Sequence, residues 1–344
     1  MGNLDGMEAS QGNQALILQV WGDLDGAMAE LKAQERICRQ LGKLDDLSKS
    51  LCNQANILYA RGDLDGAMAR HKEAERICRQ LGNLDTLEAT LGNQAVILKD
   101  RGDLDGALAL LKEQERICRQ LGNLESLSTG LGNQANILYA CGDSDGAMAL
   151  HKEEERICRL LGTLDGLQRT FCNQSVILAD RGDLDGATAL LKEQERICRQ
   201  LGDLDGVQRT LGNQAVILQD RGDMDGAMAL HKEEERICRQ LGNLDGIARS
   251  ACNQALILKD RGDLDGAMAL LKESERLCRQ LGNAQGLAYS LFNQALVLHQ
   301  MGRAREGLTL AEDSHRLATH YGYTALASQI APILNSLRRA AQGN

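Results

Sequence analysis

The residues of this chain that could do chemistry are its histidines, cysteines and paired acids, and they come in columns. Cys38, Cys78, Cys118, Cys158, Cys198, Cys238 and Cys278 recur every 40 residues, and Cys52, Cys172 and Cys252 share a second column. His71, His151 and His231 recur in a third. On a helix His151 and Cys158 would share one face, a start on a zinc or redox array. Two ligands on one face fall short of a closed four-ligand site, and the chain has no C-x-x-C pair. A packed histidine bonded to Glu154, or to a glutamine of a neighbouring helix, accounts better for the column. The cysteines read as small buried hydrophobes of a reducing compartment, which places the chain in the cytoplasm.

Asp63-Leu64-Asp65-Gly66 has the look of a calcium loop, but it lacks the third acidic ligand and the closing bidentate Glu. The acidic pair fits better as a helix start. No Ser-His-Asp order, G-x-S-x-G, glycine-rich phosphate loop or H-E-x-x-H is present, so no catalysis and no cofactor are expected.

Those columns belong to a frame that sets the architecture. Asn13, Asn53, Asn93, Asn133, Asn173, Asn213, Asn253 and Asn293 keep a step of 40 residues, as do the glycines from Gly22 to Gly302. Such a period means one supersecondary unit stacked many times, each copy covering its neighbour's apolar face. In the unit 91–130, Leu91 to Arg101 reads as a first helix, with Leu91, Ala95 and Leu98 on one side. Gly102 ends it. Asp103 fits the N-cap of a second helix through Leu121, and Asp105 favours its positive end. Gly122 closes the second helix, and Asn123-Leu124-Glu125 leads into the next unit. One proline in the whole chain suits long helices. Leu111 and His151, Gln114 and Glu154, and Tyr59 and Tyr139 betray a longer module of two repeats.

The G-D-x-x-x-A pattern, with a small residue (Ala95) seven positions before Gly102, resembles the tetratricopeptide repeat. The stretch L-G-N-Q-A…R-G-D-L-D-G-A-M-A-L-H-K is similar to the variant of Pins/LGN adaptors, rapsyn and kinesin light chains. Leucines stand where that family often has large aromatics, and Gln94 where it usually has an apolar residue. The resemblance implies an all-α fold: a right-handed α–α superhelix, a solenoid of about eight helical hairpins. It also implies that the first helices line a concave groove, with the Asn column bonding the backbone of a bound peptide.

On that reading the groove residues are Asn53, Asn56, Tyr59, Asn93, Lys99, Asp100, Asn133, Asn136, Tyr139, Asn173, Asp180, Asn213, Asp220, Asn253, Lys259 and Asp260. The alternative is that each Asn only tethers neighbouring helices. The family's carboxylate clamp needs basic residues where this chain has Gly or Cys and Val, Leu or Asn, so that ligand does not fit. Asp100, Asp180, Asp220 and Asp260 favour a segment carrying Lys or Arg. The column Gln14, Gln54, Gln94, Gln134, Gln174, Gln214, Gln254 and Gln294 lies beside the packing alanine, so each amide should bond its own or the adjoining repeat.

A net charge of −9 excludes general nucleic-acid binding, and no apolar run is long enough to span a membrane. The tandem array occupies residues 1–322 and begins inside a repeat. Residues 323–344 form a closing helix and tail. The N-terminal hairpin has no polar cap, so the expectation is either that the chain is a fragment or that an upstream domain or a second copy covers that hairpin. The functional expectation is a non-catalytic scaffold binding a protein or peptide along the groove. A regulatory or sensor segment of a larger signalling protein is the alternative.

Overall fold

The computed structural model describes residues 2–342, and Met1, where the sequence begins, lies outside it. The side chains described run from residue 9 to residue 341. Among these residues there are 17 helices and no strand. The first helices of successive repeats are α1 (Gly2–Val20), α3 (Leu44–Ala60), α5 (Leu84–Asp100), α7 (Leu124–Ala140), α9 (Leu164–Asp180), α11 (Leu204–Asp220), α13 (Leu244–Asp260) and α15 (Ala284–Gln300). Each is followed by a second helix. These are α2 (Leu24–Leu41), α4 (Leu64–Leu81), α6 (Leu104–Leu121), α8 (Ser144–Leu161), α10 (Leu184–Leu201), α12 (Met224–Leu241), α14 (Leu264–Leu281) and α16 (Ala304–His320). The last helix, α17, spans Thr324–Gln342.

The turns follow from residue chemistry. Gly102 takes φ +81°, a left-handed conformation that a side chain would strain. Its N–H and that of Asp103 donate to Lys99 and Leu98 carbonyls at 2.9 Å, closing α5 with a Schellman motif. Asp103 then turns its Oδ1 onto the N–H of Gly106 at 2.9 Å and starts α6. At the other turn Asn123 is itself an N-cap, its Oδ1 accepting from Ser126 N at 3.2 Å. The segment that looks in sequence like a lead into the next unit is therefore the start of α7. From α3 to α15 the first helices are 17 residues long, reaching back to Leu84 rather than Leu91 in the unit containing α5. Asparagine-led capping, absent from the apolar periodicity, supplies those roughly two extra turns.

The chain forms two compact units, Met1–Ile177 and Leu178–Asn344. In each, one pattern of packing repeats. The alanine of a first helix, an alanine and a leucine of the second, and an isoleucine of the next first helix make one cluster, as with Ala95, Ala107, Leu111 and Ile137. In unit 2, Ala215, Ala227 and Ile257 cluster in the same way, with Met228 in place of the leucine. Each buried Leu or Ile contributes about 1.5–3 kcal/mol, so hairpins hold one another rather than themselves. Ile17 is 49% exposed where Ile57 is 2% exposed, because no second helix precedes α1 among the described residues. At the far end, Leu326, Ile330, Leu334 and Leu337 of α17 lie buried in the cluster that includes Ala304 and Ala311.

Within each unit the first helices crowd together. In unit 1, α3 touches α5 and α5 touches α7; in unit 2, α13 touches α15 and α15 touches α17. Successive second helices lie farther apart and reach one another through long side chains, Arg79 to Glu113 at 2.8 Å and Arg239 to Glu273 at 3.0 Å. The first helices therefore form the inner layer of each unit.

Candidate functional site

The shared columns are mostly buried, and the structure gives each a packing role. Gln54, Gln94, Gln134, Gln174, Gln214, Gln254 and Gln294 donate Nε2 to Glu35, Glu75, Glu115, Glu155, Glu195, Glu235 and Glu275 at 2.6–3.0 Å. Every acceptor sits on the second helix of the preceding repeat, as the sequence predicts for a buried amide. Gln14 departs from the rule and is exposed, for want of a preceding second helix among the described residues. The same glutamates hold Arg39, Arg79 and their counterparts one helical turn later. Burial raises the Glu35 carboxyl, but the bonds from Gln54 and Arg39 outweigh it and hold it below the usual range.

The histidines are packed side chains. His151 Nδ1 lies 2.9 Å from Glu154 Oε2, and His231 Nδ1 lies 2.9 Å from Glu234 Oε2, all four groups buried. Arg169 and Arg249 complete these pairs at 3.1 and 3.2 Å. His71 faces Ala74 in the same column, and burial pushes its imidazole down to about 4. Seven of the eleven cysteines are buried and all are free. Burial raises Cys118 to about 12 and Cys238 to about 11, so those thiols are poor nucleophiles. No group of three or more His, Cys, Asp or Glu among the described residues could hold a metal ion. Asp65 does more than begin a helix: it pairs with Arg101 of the next repeat, as Asp25 does with Arg61 and Asp225 with Arg261.

The groove candidates lie along the inner helices. Asn53, Asn93, Asn133, Asn173, Asn213 and Asn253 are half-buried, while Asn56, Asn136, Val176 and Val216 in the adjoining row are exposed. Asn93 Nδ2 donates to Asn56 Oδ1 at 3.2 Å, so at this repeat the column does tether neighbouring first helices. Tyr59 donates its hydroxyl to Asp100 Oδ2 at 2.7 Å, and that carboxylate pushes the phenol up. Lys99 stands 3.9 Å from Asp100, and Lys259 stands 3.2 Å from Asp260. These two carboxylates already have local partners, which the spacing alone could not reveal. Tyr139 is half-buried, and Asp180, Asp220 and Asp260 are exposed at the C-terminal ends of α9, α11 and α13.

One relation was missed in the sequence although it is written there. Gly92, Gly132 and Gly212 stand opposite the long side chains Gln114, Glu154 and Glu234. A Cβ on these glycines would meet those side chains at 2.6, 2.7 and 2.9 Å. Cys52 and Cys252 are followed in the same register by the short Ala74 and Ser274. Size complementarity between the two columns is the signal, with Cys172 before the long Gln194 as its exception.

The profile of the tetratricopeptide repeat family matches residues 89–113. No curated protein sequence matches the chain. Among solved structures, BtubC (BKLC) from P. vanneervenii is 20% identical, covers 64% of this chain and 92% of its own, and has a TM-score of 0.56. A STAND signal-transduction ATPase with a tetratricopeptide repeat sensor, from Pyrococcus horikoshii, is 13% identical with a TM-score of 0.63. It covers 90% of this chain and 49% of its own. A Rap protein complexed with competence and sporulation factor is 13% identical, covers 98% and 99%, and has a TM-score of 0.57. At these identities the likeness is one of fold. This is an all-α, tetratricopeptide-like repeat protein, a fold consistent with a protein-interaction scaffold.

Proposed function

We propose that this chain is a non-catalytic scaffold holding a segment of another protein along the inner face of its first helices. One observation carries the reading: the shared columns are spent on packing, while the exposed inner row is where the repeats differ. Asn56 and Tyr59 recur as Asn136 and Tyr139, but the other repeats carry Lys99 with Asp100, Val176 with Asp180, Val216 with Asp220, and Lys259 with Asp260. Chemistry that varies on a face that is otherwise uniform is suited to reading a partner, and the carboxylates suit one with Lys or Arg. The Rap protein of similar fold is seen with a factor bound, which supports the same use here. The free, buried cysteines support a reducing, cytoplasmic setting. At the N-terminal edge, exposed Leu16, Ile17, Val20 and Trp21 are suited to cover by an upstream domain or a second copy.

Photo-crosslinkers at Asn56 and Val216 should capture partners that one at Arg156 on the outer face does not. Asn53→Ala with Asn133→Ala and Asn213→Ala should weaken capture while leaving the helix content intact. Undiminished capture by that variant, with crosslinks from Arg156 alone, would overturn the assignment. A sensor segment of a larger signalling protein is the second reading, favoured by the likeness to the sensor-bearing ATPase.

A further inference from the structure

The space between α13 and α15 is left open where the matching space between α5 and α7 is filled. In the earlier repeats Glu88 is only 4% exposed, and its carboxylate has four donors. Asn123 Nδ2 and Ser126 Oγ approach Oε1 at 3.0 Å; Gln114 Nε2 and Cys118 Sγ approach Oε2 at 3.3 and 3.5 Å. Gln114 crosses the bare Cα of Gly92 to get there. Four repeats later the positions of Glu88, Gln114 and Ser126 hold Ala248, Ser274 and Gly286. Three side chains are thereby shortened together, and a cavity of about 320 Å³ stands in their place, with Asn253 in its wall and Tyr289 among its lining.

The polar groups around this cavity define what it would accept. Asn283 Nδ2 donates to Asp245 Oδ1 at 2.6 Å, and the hydroxyls of Ser274 and Ser290 are 2.7 Å apart. Arg249 is bound to Gln208 and Glu234. A carboxylate entering here would meet the charge of Asp245, while the nearest guanidinium already serves Glu234. A wholly apolar group would face two hydroxyls and a carboxylate–amide pair. A carboxamide can donate to Asp245 and accept from Asn283 or a serine, with its stem against Ala248, Cys252 and Cys278.

We infer that the cavity between α13 and α15 is a subsite for a glutamine side chain of the bound segment, taking the place that Glu88 and Gln114 fill in α5–α7. The inference rests on the reading of the inner face as a polypeptide site, and its test needs no partner protein. The full chain would be titrated with N-acetyl-glutamine methylamide, followed by NMR, with the glutamate and leucine analogues as further arms. Saturable millimolar binding is expected for the glutamine probe, with shifts at Ala248, Cys252 and Ser290, and at least about tenfold weaker binding of the other two. Ala248→Glu combined with Ser274→Gln and Cys252→Gly rebuilds the filling of α5–α7 and should abolish binding with helix content unchanged. Should that set disturb folding, Ala248→Glu alone serves, since Ala248 lines the cavity and a glutamate there enters the same space. Equal or tighter binding of the leucine or glutamate analogue, binding of none, or binding that survives the filled cavity would overturn the inference. Because the probe arms need no partner, they fail independently of the crosslinking that tests the scaffold reading.

Discussion

Gln94 donates its amide to Glu75 at 2.7 Å across the boundary between two repeats, and Glu75 holds Arg79 at 2.9 Å, which in turn reaches Glu113 at 2.8 Å. The first and last links each join one hairpin to the next, and the middle one connects them along α4, so the polar lattice parallels the apolar clusters. A lone surface ion pair is worth little, but Glu75 is partly buried and shared by two donors.

Gln94→Met keeps the stem and deletes the amide. The interface between α4 and α5 should lose about 1–2 kcal/mol, since the acceptor is charged and part-buried. Combined with Glu75→Met, the loss should be less than additive by about 1 kcal/mol. Repeat arrays need not unfold in one step, so the measurement is amide exchange along α4 and α5 rather than one melting curve. Strict additivity would show that the bond contributes nothing.

Much of this was legible beforehand because a fixed period multiplies weak signals. One Gly-Asp turn is ambiguous, but the same turn at Gly62, Gly102 and Gly142 is not. The glutamine column likewise announced buried, bonded amides. Helix starts were less legible: Asn83 and Asn123 look like linker residues until their side chains are seen capping α5 and α7. The groove was least legible, because what decides Asp100 is whether Tyr59 of the preceding repeat reaches it, a matter of distance and not of spacing.

His71 should make the fold acid-sensitive. Its imidazole is 1% exposed and burial lowers it from 6.5 to about 4, with no acceptor for its Nδ1. Below the unfolded value the unfolded chain takes up a proton that the folded chain refuses. The stability is therefore complete above about pH 6.5 and is lost as pH falls toward about 4, by at most about 3 kcal/mol. Leucine occupies this column at Leu31 and Leu111. His71→Leu should flatten that acid limb in urea titrations run across the window; an unchanged limb would assign the acid sensitivity elsewhere.

The thiols should separate cleanly by reactivity. Cys141 alone among the eleven is exposed, seven are buried, and Cys52, Cys172 and Cys252 are half-buried, burial pushing Cys52 and Cys252 up to about 11. Under native conditions a thiol reagent such as DTNB should modify one residue quickly, and Cys141→Ser should remove that phase. Rapid modification of several residues in the Cys141→Ser variant would contradict the buried columns.

Gly132 tests the size complementarity on which the cavity argument also depends. A Cβ there would lie 2.7 Å from Glu154 Oε1, and Glu154 cannot swing aside because His151 and Arg169 hold it in a fully buried site. Overpacking of this kind costs about 1–3 kcal/mol, while alanine in place of a helical glycine returns at most about 1. Gly132→Ala should therefore destabilise α7 against α8, against the propensity expectation. The chain already contains a second solution at Cys52, His71 and Ala74, where the small residue has moved to the other helix. Gly132→Cys alone should be worse than Gly132→Ala, and adding Glu154→Ala should recover most of the loss by copying that solution. Amide exchange along α7 and α8 reads each step. If Glu154→Ala deepens the defect of Gly132→Cys, the buried carboxylate is needed for His151 and Arg169 more than for filling space, and the two columns do not trade volume.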